Sequence, residues 1–107
     1  MAATGAPDAV FDALSDPTRR QLLSLVGDLG GATATELARE LPVSRQAVSK
    51  HLSVLSAAGL VASGREGREV RYRLTPEPLS EAMVWMAGVG AQWDKRLAAL
   101  ERRLARP

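Results

Sequence analysis

The stretch PVSRQAVSKHL, residues 42–52, decides the reading of this chain. Ser44, Arg45, Gln46, Ser49 and Lys50 crowd the start of a run whose apolar members are Val48 and Leu52. On a helical wheel stepped at about 100° per residue, Val48, Leu52 and Leu55 fall in one narrow sector. Ala47, His51, Val54 and Ala58 flank that sector on one side. Arg45, Ser56, Ser49, Ser53, Gln46, Ala57 and Lys50 fill the opposite arc, so the polar side chains form one continuous face. Its long members lie in the first two turns. The arc holds no acid, whereas a solvated helix of this length ordinarily carries Glu. Ser44 suits the N-cap and Gly59 the C-terminal end of this helix.

Upstream, Thr35 is read as the cap of a short helix over residues 36–41, with Leu37 and Leu41 facing inward. Pro42 stops that helix from running on. Two helices joined by a turn of three or four residues form a helix-turn-helix pattern. Two further helices precede it. Val10, Phe11 and Leu14 have helical spacing after a lead-in over residues 1–7. Asp16 and Pro17 then supply an N-cap and first helical position for a second helix, with Leu22, Leu23, Val26 and Leu29 apolar and Gly30-Gly31 ending it.

Downstream, residues 60–64 and Glu69–Leu74 read as two strands, with Glu66-Gly67 as the hairpin tip. Val70, Tyr72 and Leu74 alternate with Arg71 and Arg73, the period of a half-buried strand. Thr75-Pro76 opens a last helix reaching towards Arg106. Along it Leu79, Met83, Met86, Gly90, Trp93, Leu97, Leu100 and Leu104 step by four and three, a heptad seam. One small domain cannot cover so long a seam, and a symmetric dimer buries it on its own copy. Gly88 and Gly90, which cost roughly 1 kcal/mol each in a helix interior, allow a close crossing or a kink. The expected fold is therefore mainly α with a small β-hairpin. It is a single winged helix-turn-helix domain over residues 1–107, with a core at 8–75 and a dimerisation helix at 76–106. The expected dimer contacts are Phe11, Leu79, Met83, Met86, Trp93, Leu97 and Leu100.

Composition narrows the function. The 107 residues carry a net charge of only +2, but residues 45–73 hold six bases and two acids while residues 1–44 hold three bases and six acids. Positive charge concentrated on the polar helix and hairpin suits a nucleic-acid surface. There is no cysteine, which excludes disulfides and thiolate metal sites. The one histidine, His51, has no partner for a metal site or a nucleophile–base pair, and packing or a hydrogen bond to a neighbouring helix is its expected role. No phosphate loop or converging carboxylate pair is visible, so an enzyme is not expected. Nor is a cofactor or a membrane span, and the expected location is cytoplasmic.

These features together fit a helix whose N-terminal turns enter a major groove. Arg45 and Gln46 can pair with base edges, Ser44 with a phosphate. Ser49 and Lys50 share the face, and Arg65 and Arg68 flank the hairpin tip for backbone contact. A protein-interaction module using the same face, without sequence-specific DNA binding, is the alternative from another class.

The strings FDALSDPTRRQLLSLV and TATELARELPVSRQAVSKHLSVLSAAGLVASGREGREVRYRLT resemble the ArsR family of bacterial winged-helix repressors over residues 11–75. The resemblance implies a homodimer on a palindromic operator, usually repressing. It places base contacts at Arg45, Gln46, Ser49 and Lys50, and makes Arg19 and Arg20 helix ties. The family's cysteine metal site would fall within residues 33–39, which hold none. The chain is more similar to members lacking metal ligands, and it names no inducer.

Overall fold

Side-chain caps fix the starts of the second, third and fourth helices in this computed structural model, which describes residues 7–105. The expected lead-in before Pro7 and the end at Arg106 lie outside the described residues. Helix α1 (Asp8–Leu14) is one short segment, followed by α2 (Pro17–Leu29). Asp16 begins α2: its carboxylate accepts from the Thr18 and Arg19 amides at 2.8 and 3.1 Å, and Pro17 takes the first turn. At the other end Gly30 adopts φ +70°, which lets the Gly31 amide reach back to the Val26 carbonyl at 3.1 Å.

The next cap departs from the expected one. Helix α3 (Ala34–Glu40) starts two residues earlier, on Thr33 and not Thr35. The Thr33 hydroxyl accepts from the Glu36 amide at 3.1 Å, and the Glu36 carboxylate accepts from the Thr33 amide at 2.9 Å. This reciprocal box requires Glu or Gln three residues after the cap. Thr33 has it; Thr35 has Ala38. Helix α4 (Arg45–Ala57) begins on Ser44, whose hydroxyl accepts from the Ala47 amide at 3.1 Å. It ends at Gly59, φ +77°, with the Leu60 amide bonded to the Leu55 carbonyl at 2.9 Å.

The hairpin comprises β2 (Val61–Glu66) and β3 (Glu69–Leu74). Its turn is Gly67-Arg68, one residue later than expected, because Glu66 stays in the ladder opposite Glu69. A positive φ at Gly67 alone of the two central residues is the type II′ pattern, whose twist matches the strands. A strand that the sequence reading missed, β1 (Ala32–Thr33), pairs antiparallel with the far edge of β3, giving the order β1-β3-β2. Two residues are too few to show a period.

Leu22, Val26, Leu37, Val48, Leu52, Leu55 and Leu60 are fully buried and form one core drawn from α2, α3, α4 and the start of the hairpin. Helix α5 (Glu77–Ala105) contributes only Ala82 to it as a buried residue. Leu79 leans on the same core, and Trp85 meets Phe11 of α1 edge to face at 5.4 Å. Beyond that, α5 runs free. Met83, Val84, Met86, Val89, Trp93, Leu97, Leu100 and Leu104 are all exposed, Val84 among them although it lies off the heptad steps. The extents are 71 × 35 × 20 Å and the radius of gyration is 18.8 Å, against about 13 Å for a compact chain of this length.

The two candidate caps are separable by calorimetry. Thr33→Val, which keeps the volume and removes the hydroxyl, should cost about 1 kcal/mol and lower Tm by roughly 4–8 °C. Thr35→Val should leave Tm unchanged.

Candidate nucleic-acid interface

The core face of α4 fixes the direction of its other side. With Val48, Leu52 and Leu55 fully buried, Arg45, Gln46 and Lys50 stand exposed and Ser49 is half-buried. Among the described residues, none of these long side chains makes an ion pair or a hydrogen bond within the protein. Capping by Ser44 uses the Ala47 amide, which leaves the Arg45 and Gln46 amides facing outward without a helical acceptor. Ser53 differs from its neighbours. Its hydroxyl donates to the Ser49 carbonyl at 3.1 Å, one turn back, and so is occupied within the helix. His51 is half-buried.

Residues far apart in sequence meet beside α4. Arg45 and Ser49 of the helix, Thr33, Ala34 and Thr35 at the start of α3, and Arg68, Glu69, Val70 and Tyr72 of the wing line one groove of about 240 Å³. Arg65 lies opposite Val70 in the ladder and shares its face. Thr35 is exposed on the rim, a position the sequence reading used up on a cap. Glu69 puts one acid among these cations, and no spacing signal marked it.

The wing arginines fall into two groups. Directly paired residues share a sheet face, so Arg71 and Arg73 stand on the face opposite to Tyr72 and Val70, across from Gly64 and Ala62. No bulky neighbour crowds them there, and both reach diagonally to Glu66. Arg71 Nε donates to Glu66 Oε1 at 3.2 Å and Arg73 Nη2 to Glu66 Oε2 at 2.7 Å. Arg71 Nη1 also donates to Glu36 Oε1 at 3.2 Å and to the Gly31 carbonyl at 3.3 Å. Both arginines are thus engaged within the protein, Arg71 half-buried and Arg73 still exposed. Arg65 and Arg68 make no ion pair among the described residues.

Arg19 and Arg20 close the end of α1. Arg19 Nε donates to the Ala13 carbonyl at 2.6 Å and Arg20 Nη1 to the Leu14 carbonyl at 2.7 Å. They are helix ties, away from the groove.

Comparison with known proteins places this geometry. A family model described as a helix-turn-helix domain matches residues 14–63. The transcriptional repressor SdpR of Bacillus subtilis is 36% identical over 72% of this chain and 84% of its own. The arsenical resistance operon repressor of Escherichia coli is 31% identical over 94% of this chain and 86% of its own. The solved structure of an ArsR-like transcriptional regulator from Rhodococcus sp. RHA1 superposes with a TM-score of 0.79 at 45% identity, covering 94% of this chain and 92% of that one.

The chain belongs to the ArsR family. It is a winged helix-turn-helix regulator of transcription, with α3 and α4 as the helix-turn-helix and β2–β3 as the wing. In this ArsR-family chain no group of three His, Cys, Asp or Glu side chains is placed to hold a metal ion among the described residues. The segment over residues 33–39 instead builds the Thr33 cap and the Glu36–Arg71 link.

Glu36 gives the site a pH dependence. The Thr33 amide holds its carboxyl below the ordinary value of 4.5; the Arg71 guanidinium adds to this, and partial burial opposes it. Because the folded value lies below the unfolded one, the contribution is complete above pH 4.5 and is lost as pH falls through the lowered value. Glu36→Gln should therefore reduce Tm most near neutral pH. The gap between variant and wild type should narrow below pH 4.5 in a thermal-melt series.

Proposed function

We propose that the chain acts as a homodimer that binds a palindromic operator and represses transcription from it. The observation that carries this reading is the convergence of Arg45 and Ser49 of α4 with Arg68 of the wing on one groove. A recognition helix inserted by its N-terminal turns places Arg45, Gln46 and Lys50 at base edges, Arg pairing with guanine and Gln with adenine. The Ser44 cap and the free amides beside it suit a backbone phosphate. The wing tip, with Arg65 and Arg68, lies over the flanking backbone. No described helix is long and apolar enough to cross a membrane. A regulator with this surface works where the chromosome is, in the cytoplasm.

The dimer is supported by what α5 leaves open. Met83 is 64% and Trp93 57% exposed in the single chain. Such side chains on one long helix form a larger apolar surface than a monomer ordinarily presents. A Cβ at Gly88 or Gly90 would meet nothing within this chain, so these glycines relieve no crowding of its own and leave room for a second helix. On this reading Met83, Met86, Trp93, Leu97 and Leu100 form the seam, while Leu79 and Phe11 join it from their places on the core and against Trp85. Repression accords with the repressor names of relatives across most of the chain.

Selection of bound sites from random duplexes tests the reading directly. Recovered sites should be inverted repeats with half-sites about one helical turn apart. Arg45→Ala or Gln46→Ala should each cost about 1–3 kcal/mol on the selected site and relax the preference at one or two base pairs. An unchanged preference would remove those residues from base reading. Trp93→Ala should shift sedimentation towards monomer and weaken operator binding in step; a wild type that sediments as monomer at micromolar concentration would overturn the dimer.

A further inference from the structure

Four arginines on one hairpin invite the reading that all four hold DNA. The contacts separate them. Among the described side chains, Arg71 alone hydrogen-bonds to three parts of the fold at once: the Gly31 carbonyl after α2, Glu36 in the first turn of α3, and Glu66 beside the wing turn. Its side chain is 24% exposed, and it lies on the sheet face turned away from the groove that Arg45, Ser49 and Arg68 line. Glu36 is fixed in turn, since its Oε1 atom also accepts from the Thr33 amide at 2.9 Å. The chain of contacts runs from the cap of the helix-turn-helix, through Arg71, to Glu66, which the two-residue turn separates from Glu69 on the returning strand. As ion pairs these half-exposed contacts add little stability. As a planar fork with fixed donor directions, the guanidinium sets the angle at which the hairpin leaves the body.

We infer that Arg71 is a positioning residue for DNA recognition: it does not touch the duplex, but sets the wing so that Arg65 and Arg68 meet the backbone while α4 occupies the groove. This rests on the DNA-binding reading above. Glu66 belongs to the same device. An acid next to a phosphate-facing tip weakens attraction on charge alone, yet here it anchors both Arg71 and Arg73 on the outer face and leaves Arg65 and Arg68 free.

The test is a double-mutant cycle on a selected operator, with folding followed by thermal melts and affinity measured over a range of salt. Arg71→Gln should weaken binding about tenfold in the wild-type background, a coupling of ordinary size for residues acting together. In the Arg65→Ala/Arg68→Ala background it should have less than about a twofold effect, because the contacts it acts through are gone. The slope of log affinity against log salt should become shallower with Arg71→Gln in the wild-type background, because misplaced wing arginines release fewer counterions; in the double-alanine background Arg71→Gln should change it no further, whereas a direct phosphate contact would lower it there by about one. Glu66→Gln, at a half-exposed position, should also weaken binding, opposite to the sign expected from deleting an acid. Equal losses from Arg71→Gln in both backgrounds, or tighter binding by Glu66→Gln, would overturn the positioning role alone. A wild type with no salt-dependent duplex binding would overturn it together with the reading on which it rests.

Discussion

Burial of Val48, Leu52 and Leu55 on one side of α4 is the constraint on which the rest depends. Each of these side chains contributes roughly 1.5–3 kcal/mol by leaving water, and all three are wholly inside a core shared with Leu22, Val26 and Leu37. That anchoring fixes the helix in rotation as well as in place. Arg45, Gln46 and Lys50 face outward because the opposite arc is committed inward. Only Ser44 at one end and Gly59 at the other limit its length. The same few residues therefore specify both the core and the surface available to a partner.

Charge on the wing is sorted by the pleat of the strands. Alternation sends Arg71 and Arg73 to one face and Arg65 to the other, and Glu66 lies on the face with the first pair. A count of cations along this segment overstates what is free to meet a polyanion. Of the internally engaged half, Arg71 ties the hairpin to α3 and Arg73 stays within the wing. The half left unengaged lies at or beside the turn. Small residues opposite the engaged pair, Gly64 and Ala62, allow their stems to cross the sheet.

Much of this was legible in the sequence. The apolar spacing gave α1, α2, α4 and α5, and the caps at Asp16 and Ser44 and the stops at Gly30 and Gly59 stand where their chemistry requires. The polar arc of α4 was legible for the same reason: a helix of known phase has two known sides. What was not legible depended on partners distant in sequence. Strand β1 exists only because β3 returns beside it. Thr33 outcompetes Thr35 as a cap through Glu36, a signal that was present but overlooked. The engagement of Arg71 needs Gly31 and Glu36, brought near by the returning hairpin and not by spacing. The hairpin tip moved by one residue because Glu66 and Glu69 pair despite their like charge, an arrangement that two neighbouring arginines make tolerable.

The pairing of β1 with β3 also bears on how the chain folds. Gly31 and Arg71, which meet at this junction, are 40 residues apart, and everything between them, α3 and α4 included, lies inside the loop that their meeting closes. Closing so long a loop costs roughly 3 kcal/mol beyond a constant term in chain entropy. A ladder of only two rungs, Ala32 with Tyr72 and Thr33 with Arg71, cannot meet that cost by itself. The loop closes cheaply only once the helices inside it have shortened the distance between its ends. The pairing of the edge strand therefore depends on local helical contacts already in place, so the seam between wing and body holds only as long as the helices enclosed by it do.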